Sequence, residues 1–403
     1  MSNSSNLTHS ECYFAQPISP VFEKIKLSIY SFIILSSIVG NLTVLFVIKQ
    51  NKTMRSVTNC LICNCCVADL LITCLPNVWE LANYHFNNTW PMGLFMCKFM
   101  YTSVYLSVGA SIITLSCISV DRFLSVTRPH NRYLQKRSLV VIIPLIWGGA
   151  FLFACPSIWT MTLEKYGGEL YCVETWQPPF DAVKSAEHYT VILFMFLYAL
   201  PLSMMSILYG KMAKQLWKKD KFRERKNGQN GQLQTVLLKA SPEKRTRKKG
   251  VLSKRKAMVF TREEDKSDSS DPDIQPLRSG ISRFFVSSVR QRMNMSKNTR
   301  RRGTNTKRRA VKMLIALVLT FAVCWLPVFI VQFMLYFHPY YSKCKEAVPL
   351  WVYFIGFTMQ YSNSAINPTL YFTFSKSYRK GFFTAFPCLA KKERFNAGRN
   401  NQS

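Results

Sequence analysis

Three groups of residues in this sequence have the types and spacing that could do chemistry. Asp69 is a carboxylate set in the middle of an apolar stretch, and Asp121-Arg122 is an acid–base pair at the end of another. Cys60, Cys63, Cys65 and Cys66 lie close enough in sequence to suggest a metal site. Structural zinc sites do space cysteines two to four apart. On one helix, however, Cys65 and Cys66 point about 100° apart, so the four thiols do not converge on one ion and read as small packing residues. A charge such as Asp69 at the centre of a bilayer costs about 2.5–3.5 kcal/mol on insertion scales, and it therefore turns inward among helices. No metalloprotease, nucleophile-elbow or phosphate-loop pattern occurs, and nothing in the sequence points to an enzyme.

The elements that must position these groups are long and apolar. From Cys97 to Arg122 the sequence reads CKFMYTSVYLSVGASIITLSCISVDR, with no formal charge from Phe99 to Val120. As a helix it separates the cysteine from the arginine by about 37 Å, more than the ~30 Å hydrocarbon core of a bilayer. Seven such runs, uncharged or with one acid, are predicted spans: Leu27–Ile48, Val57–Trp79, Phe99–Val120, Ser138–Leu163, Tyr189–Gly210, Met313–Phe337 and Ala347–Ser375. The fold class is an all-α membrane protein, a seven-transmembrane helix bundle with a short amphipathic helix after the last span.

Charge orients the bundle. The chain has 403 residues and a net charge of +32, a balance that would suggest nucleic acid on a soluble surface. Instead, residues 211–312 alone hold 31 Lys and Arg against 9 Asp and Glu. The connections after spans one and three are also basic (Lys49, Lys52, Arg55; Arg128, Arg132, Lys136, Arg137), while the alternate ones are neutral or acidic. By the positive-inside rule the amino terminus is outside and the carboxyl terminus cytoplasmic, with no nucleic-acid partner. Asn3, Asn6 and Asn87 then begin outward-facing N-x-S/T sequons suited to glycosylation. Of the thirteen cysteines, Cys12, Cys97, Cys172 and Cys344 fall outside, where disulfides persist. Residues 1–20 lack an apolar run, so span one is expected to serve as the insertion signal.

The expected organisation is an extracellular tail at 1–24 and spans one to five within 25–210. A disordered basic third cytoplasmic loop follows at 211–306, then spans six and seven within 307–373. In the loop, Ser267, Ser269 and Ser270 sit among acids and are candidate kinase sites, and Lys307-Arg308-Arg309 suits anionic lipid. Residues 374–387 alternate basic and aromatic types as an amphipathic helix on the inner leaflet, and 388–403 form the cytoplasmic tail. Cys388 is either an acylation site or a free thiol.

Taken in order, GNLTV at 40–44 in span one, VADLL at 67–71 in span two, WPMG at 90–93 before span three, DRF at 121–123 at its end, FAVCWLP at 321–327 in span six and NSAINPTLY at 363–371 in span seven make a recognisable series. The chain resembles the rhodopsin-like, class A G-protein-coupled receptors, and within them the neuropeptide-receptor group. The resemblance implies a disulfide between Cys97 and Cys172; Cys12 and Cys344 remain as a candidate second bridge. It implies an activation switch of Ile112, Pro201, Phe321, Trp325 and Pro327, and a G-protein-coupling set of Asp121, Arg122, Tyr209 and Tyr371. Asp69, Ser111, Asn363, Ser364 and Asn367 match a polar cluster that holds an allosteric sodium ion, the alternative being a water-filled network. The triplet ends in Phe123, and Lys307 stands where some relatives carry an acid, so no ion pair from there holds Arg122 and raised basal activity is expected.

Val104 replaces the aspartate that amine receptors need, and Tyr361 the lysine that opsins need. A peptide ligand is expected, with a lipid-like ligand or a seven-span transporter as the alternatives. Glu164, Glu169, Glu174, Asp181 and Glu187 before span five, with Glu80, suit a basic ligand, or else form a solvated loop face. Glu80, Tyr101, Tyr105, Tyr189, Gln332, Tyr353 and Phe357 are the expected ligand contacts. The implied partners are a heterotrimeric G protein, arrestin, receptor kinases and membrane lipids, at the plasma membrane.

Overall fold

The first two long helices begin where a serine side chain can satisfy the bare backbone. The computed structural model describes residues 19–82, 89–128, 135–181, 183–215, 217–218, 308–338 and 348–387. Helix α1 (Pro20–Gln50) starts with proline in its first turn, and the Ser19 hydroxyl accepts from the Val21 N–H at 3.3 Å. Helix α2 (Val57–Ala82) starts at the Ser56 cap and widens into a π turn at Thr73–Asn77 around Pro76. Helices α3 (Gly93–Thr127), α4 (Lys136–Thr160), α5 (Lys184–Gln215) and α6 (Arg308–Phe337) follow. At α5, Asp181 Oδ1 accepts from the N–H groups of Val183 and Lys184, at 3.0 and 2.8 Å. Helix α5 has its own π turn, Met195–Ala199, just before Pro201.

Among the described residues, α1 to α6 are long and apolar enough to cross a bilayer. Helix α7 (Leu350–Phe374) has 25 residues, a spanning length, but Gln360, Asn363 and Asn367 dilute its apolar character. Helix α8 (Lys376–Ala385) is set off from α7 by Ser375, whose hydroxyl accepts from the Tyr378 N–H at 3.2 Å. Exposed Phe32, Leu35 and Val39 on α1, Val140, Val141 and Leu145 on α4, and Leu319 and Val323 on α6 give the bundle an apolar exterior.

Four boundaries differ from the sequence expectation. Residues 211–215, expected in the third cytoplasmic loop, continue α5, because Lys211 and Lys214 extend a good helix-forming run past the apolar span. Residues 20–24 belong to α1 and not to the tail, because Ser19 and Pro20 start a helix before the membrane-length run does. The fourth span stops at Thr160, and Met161–Leu163 open strand β1 (Met161–Tyr166), paired antiparallel with β2 (Glu169–Glu174). Gly167 and Gly168, with φ of 60° and 97°, make the two-residue turn that L side chains rarely allow. The amphipathic helix is Lys376–Ala385, shorter than 374–387, since Phe374 still belongs to α7.

Close contacts hold the bundle. A Cβ at Gly40 would sit 2.9 Å from Pro368 Cβ, so the glycine of GNLTV is what lets α1 approach α7. Asn64 on α2 donates to Thr114 on α3 at 2.8 Å and accepts from the Trp147 indole on α4 at 3.0 Å. By contacts the chain divides into Met1–Gln215 with Arg308–Ser403, and Leu216–Lys307. Of the second unit only Trp217 and Lys218 are among the described residues.

Candidate functional site

Helices α2, α3, α5, α6 and α7 diverge at the hairpin end of the bundle and leave a cavity of about 230 Å³. The hairpin is held over it by the Cys97–Cys172 disulfide, with a Cα–Cα distance of 5.7 Å. It is also held by the Trp90 N–H, which donates to the Leu170 carbonyl at 2.7 Å. Tyr101, Tyr105, Tyr189, Phe329 and Phe357 supply aromatic walls, and Trp325 also lines the cavity.

Two carboxylates, Glu80 and Glu174, line this space, and among the described residues the lining includes no Lys, Arg or His. Their surroundings differ. Lys26 Nζ on α1 stands 3.3 Å from Glu80 Oε1, so that charge is already paired. Glu174 accepts from the Tyr336 hydroxyl on α6 and from the Trp176 indole N–H, both at 2.8 Å. Among the described residues no basic side chain lies within ion-pair distance of Glu174. It is the acidic group in this cavity that keeps its charge uncompensated.

Six of the seven expected ligand contacts line the cavity: Glu80, Tyr101, Tyr105, Tyr189, Gln332 and Phe357. Tyr353 does not line it; its ring stacks on Phe357, with centroids 6.3 Å apart. Of the loop acids, Glu174 lines the cavity and Glu164, Glu169, Asp181 and Glu187 do not. Sequence reasoning missed Tyr336 and Gln360 as lining residues. Tyr336 follows Gln332 by one helical turn, and that spacing was the available signal.

Beneath the cavity, Phe321 and Trp325 stack with centroids 5.7 Å apart, and Phe321 and Ile112 are both fully buried. Tyr198, in the π turn of α5, lies against Phe321 and Phe329, and its hydroxyl donates to the Ala322 carbonyl of α6 at 2.8 Å. Pro201 follows that turn, and Pro327 interrupts α6 five residues after Ala322. Deeper still, Asp69 Oδ2 accepts from Asn367 Nδ2 at 2.9 Å. Asn41 Nδ2 donates to the Ser364 carbonyl at 3.0 Å, and the Ser37 and Thr73 hydroxyls are 2.7 Å apart. Ser111 and Asn363 are buried, and Asn363 Oδ1 and Asn41 Oδ1 have no hydrogen-bond partner among the described residues.

Near the α8 end, Arg122 Nε lies 4.0 Å from Asp121 Oδ2, and that same oxygen accepts from the Thr58 hydroxyl at 2.8 Å. The Tyr209 hydroxyl is hydrogen-bonded to Ser119. Tyr371 is buried, and its hydroxyl has no partner among the described residues. Cys12, Cys344, Asn3, Asn6, Asn87, Lys307 and Cys388 lie outside the described residues.

The family model described as 7 transmembrane receptor (rhodopsin family) matches residues 40–371. The chain is 26% identical over 370 residues to the pyroglutamylated RF-amide peptide receptor of Mus musculus, covering 89% of this chain and 69% of that protein. It is 26% identical to neuropeptide FF receptor 2 of Rattus norvegicus over 403 residues, with 96% and 78% covered. It is also 26% identical to the substance-P receptor of Cavia porcellus over 388 residues, with 96% and 76% covered.

Proposed function

The chain belongs to the rhodopsin family of seven-transmembrane receptors, and from that premise we propose that it binds an extracellular peptide with a basic group and activates a heterotrimeric G protein. The observation that carries the ligand reading is Glu174, an uncompensated carboxylate among aromatic rings in a cavity whose lining has no cation among the described residues. A guanidinium or ammonium group desolvated there pairs with Glu174, while Tyr101, Tyr105 and Phe357 take the adjoining apolar side chains. The names of the similar peptide receptors agree with this class of ligand.

The chain is a multi-pass protein of the plasma membrane. The basic connections support placing the hairpin end outside and the α8 end in the cytoplasm. Signalling is a shift of populations, with no covalent chemistry in the receptor. Tyr336 of α6 donates to the carboxylate that the ligand's cation approaches, so ligand binding bears directly on α6. Helix α6 then swings outward about Pro327, releases Arg122 from Asp121, and opens a crevice lined by Arg122, Tyr209 and Tyr371 for the G-protein α subunit.

The other assignments rest on chemistry near these groups. Asp69, Ser111, Asn363, Ser364 and Asn367 are assigned to a sodium site: all five are buried, Asn367 donates to Asp69, and the unpartnered Asn363 and Asn41 oxygens suit a hard cation. It would couple the cluster to one arrangement of α7. Receptor kinases and arrestin act on the 211–306 loop and the 388–403 tail, and anionic lipid meets α8. A calcium and cyclic-AMP screen of expressing cells against Arg- and Lys-containing amidated peptides tests the reading. A response from one peptide, lost when its basic residue is made neutral, is the expected result; responses only to lipids would overturn it.

A further inference from the structure

The Tyr198 hydroxyl reaches from α5 to the Ala322 carbonyl of α6 at 2.8 Å, although Ala322 is part of a helix that already has an internal donor for that oxygen. Its position on α6 is what matters. Pro327 has no N–H, so the Val323 carbonyl loses its helical partner, and α6 is weakest over the turn from Val323 to Pro327. The Tyr198 bond grips the residue immediately beyond that weak turn, on the side that leads to the α8 end.

Helix α5 is a firm post for such a grip. Its Tyr189 hydroxyl donates to the Phe153 carbonyl of α4 at 2.6 Å, and its Tyr209 hydroxyl bonds Ser119 of α3. Phe321 and Phe329 on α6 pack against the Tyr198 ring, with centroids 6.4 and 5.2 Å away, and fix where its hydroxyl points.

We infer that Tyr198 is a positioning residue: its hydroxyl latches the inner half of α6 to α5 and holds the receptor in its uncoupled arrangement. This rests on the receptor reading above. Ala322 lies about 7.5 Å along the helix from Pro327, and Arg308 about 28 Å. A hydrogen bond of 2.8 Å is lost by about 3.5 Å. On that lever, a tilt about Pro327 that moves Arg308 by only about 3 Å breaks the latch. The bond is therefore among the first contacts given up when α6 opens, and one bond of this kind biases the equilibrium by roughly two- to thirteen-fold.

The test is Tyr198→Phe, which removes the hydroxyl and keeps the ring. Ligand-free G-protein activation at matched surface expression should rise about two- to thirteen-fold. Amide exchange in residues 321–327 of the purified, ligand-free receptor should speed up by a similar factor. A ring that serves only packing would leave the Phe variant like the native receptor in both measurements, and that result overturns the latch. Lower basal activity also overturns it, since the bond would then belong to the open arrangement. Asp121→Asn, which frees Arg122, is the coupling control. If exchange rises in Tyr198→Phe while neither variant activates any G protein, the α5–α6 tether stands and the receptor reading fails.

Discussion

Replacing Glu174 by Gln removes the charge that the cavity leaves uncompensated while keeping one oxygen for the Trp176 indole N–H and setting an amide NH2 against the Tyr336 hydroxyl, which can accept from it. A ligand cation at about 4 Å interacts with the carboxylate by about 4 kcal/mol at an effective dielectric of about 20. Desolvation of both partners reduces this to roughly 1.5–3 kcal/mol net for a charge-assisted contact. The expected loss of peptide affinity is thus roughly 10- to 150-fold. Glu80→Gln should behave differently, because Lys26 already neutralises Glu80 at 3.3 Å. A partly exposed pair of that kind is worth about 0–1 kcal/mol, or at most about a fivefold change. The assay is competition binding on cells with matched surface expression, using the active peptide and a version with its arginine changed to neutral citrulline. In native receptor citrulline should cost the same 10- to 150-fold or so, and in Glu174→Gln it should cost almost nothing further. Two losses that simply multiply would show that the cation and Glu174 do not meet, and the charge argument would fail.

Three more outcomes follow from the geometry. Arg122→Ala should bind peptide at the surface with native affinity yet give no G-protein signal; full signalling would remove Arg122 from the coupling crevice. Gly40→Ala places a Cβ 2.9 Å from Pro368 and should destabilise the purified receptor by about 1–3 kcal/mol through overpacking; an unchanged melting temperature would show that α1 and α7 are not this close. Asp181 is held below the usual carboxylate range, first by the Lys184 N–H and then by that of Val183. Its folded value lies below the unfolded one of about 3.9, so its capping of α5 is complete above about pH 5 and fades as pH falls through the folded value. Protection of the first turn of α5 should be flat from pH 8 to about 5 and decline below; Asp181→Asn should abolish that decline, and persistence of the decline in the variant would refute it.

The spans were legible because lipid imposes a length and an absence of charge that few other environments demand. Their ends were not. Ser19 and Pro20 start α1 in polar sequence, and the apolar Met161 and Leu163 continue the fourth run but belong to a strand covering a cavity. Both environments reward apolar residues, so hydropathy cannot separate them. The acidic character of the ligand end was legible from the loop composition. Which acid stays uncompensated was not, since Lys26 and Glu80 are brought together only by the packing of α1 on α2. Tyr353 and Tyr336 show the same limit: both are aromatic residues at the outer ends of predicted spans, and only the helical phase decides that Tyr336 lines the cavity and Tyr353 does not.

The wide turns at Thr73–Asn77 and Met195–Ala199 bear on how lengths of chain can change. Each acts as one surplus residue, so everything beyond it is rotated by about 100° relative to an unbroken helix. A one-residue deletion within the first would return that turn to regular α-helix and leave Glu80 facing as it does now. Changes of chain length in this architecture therefore need not be confined to loops: at these two places a single codon can be lost while the wall of the binding chamber beyond keeps its aim and the span stays intact.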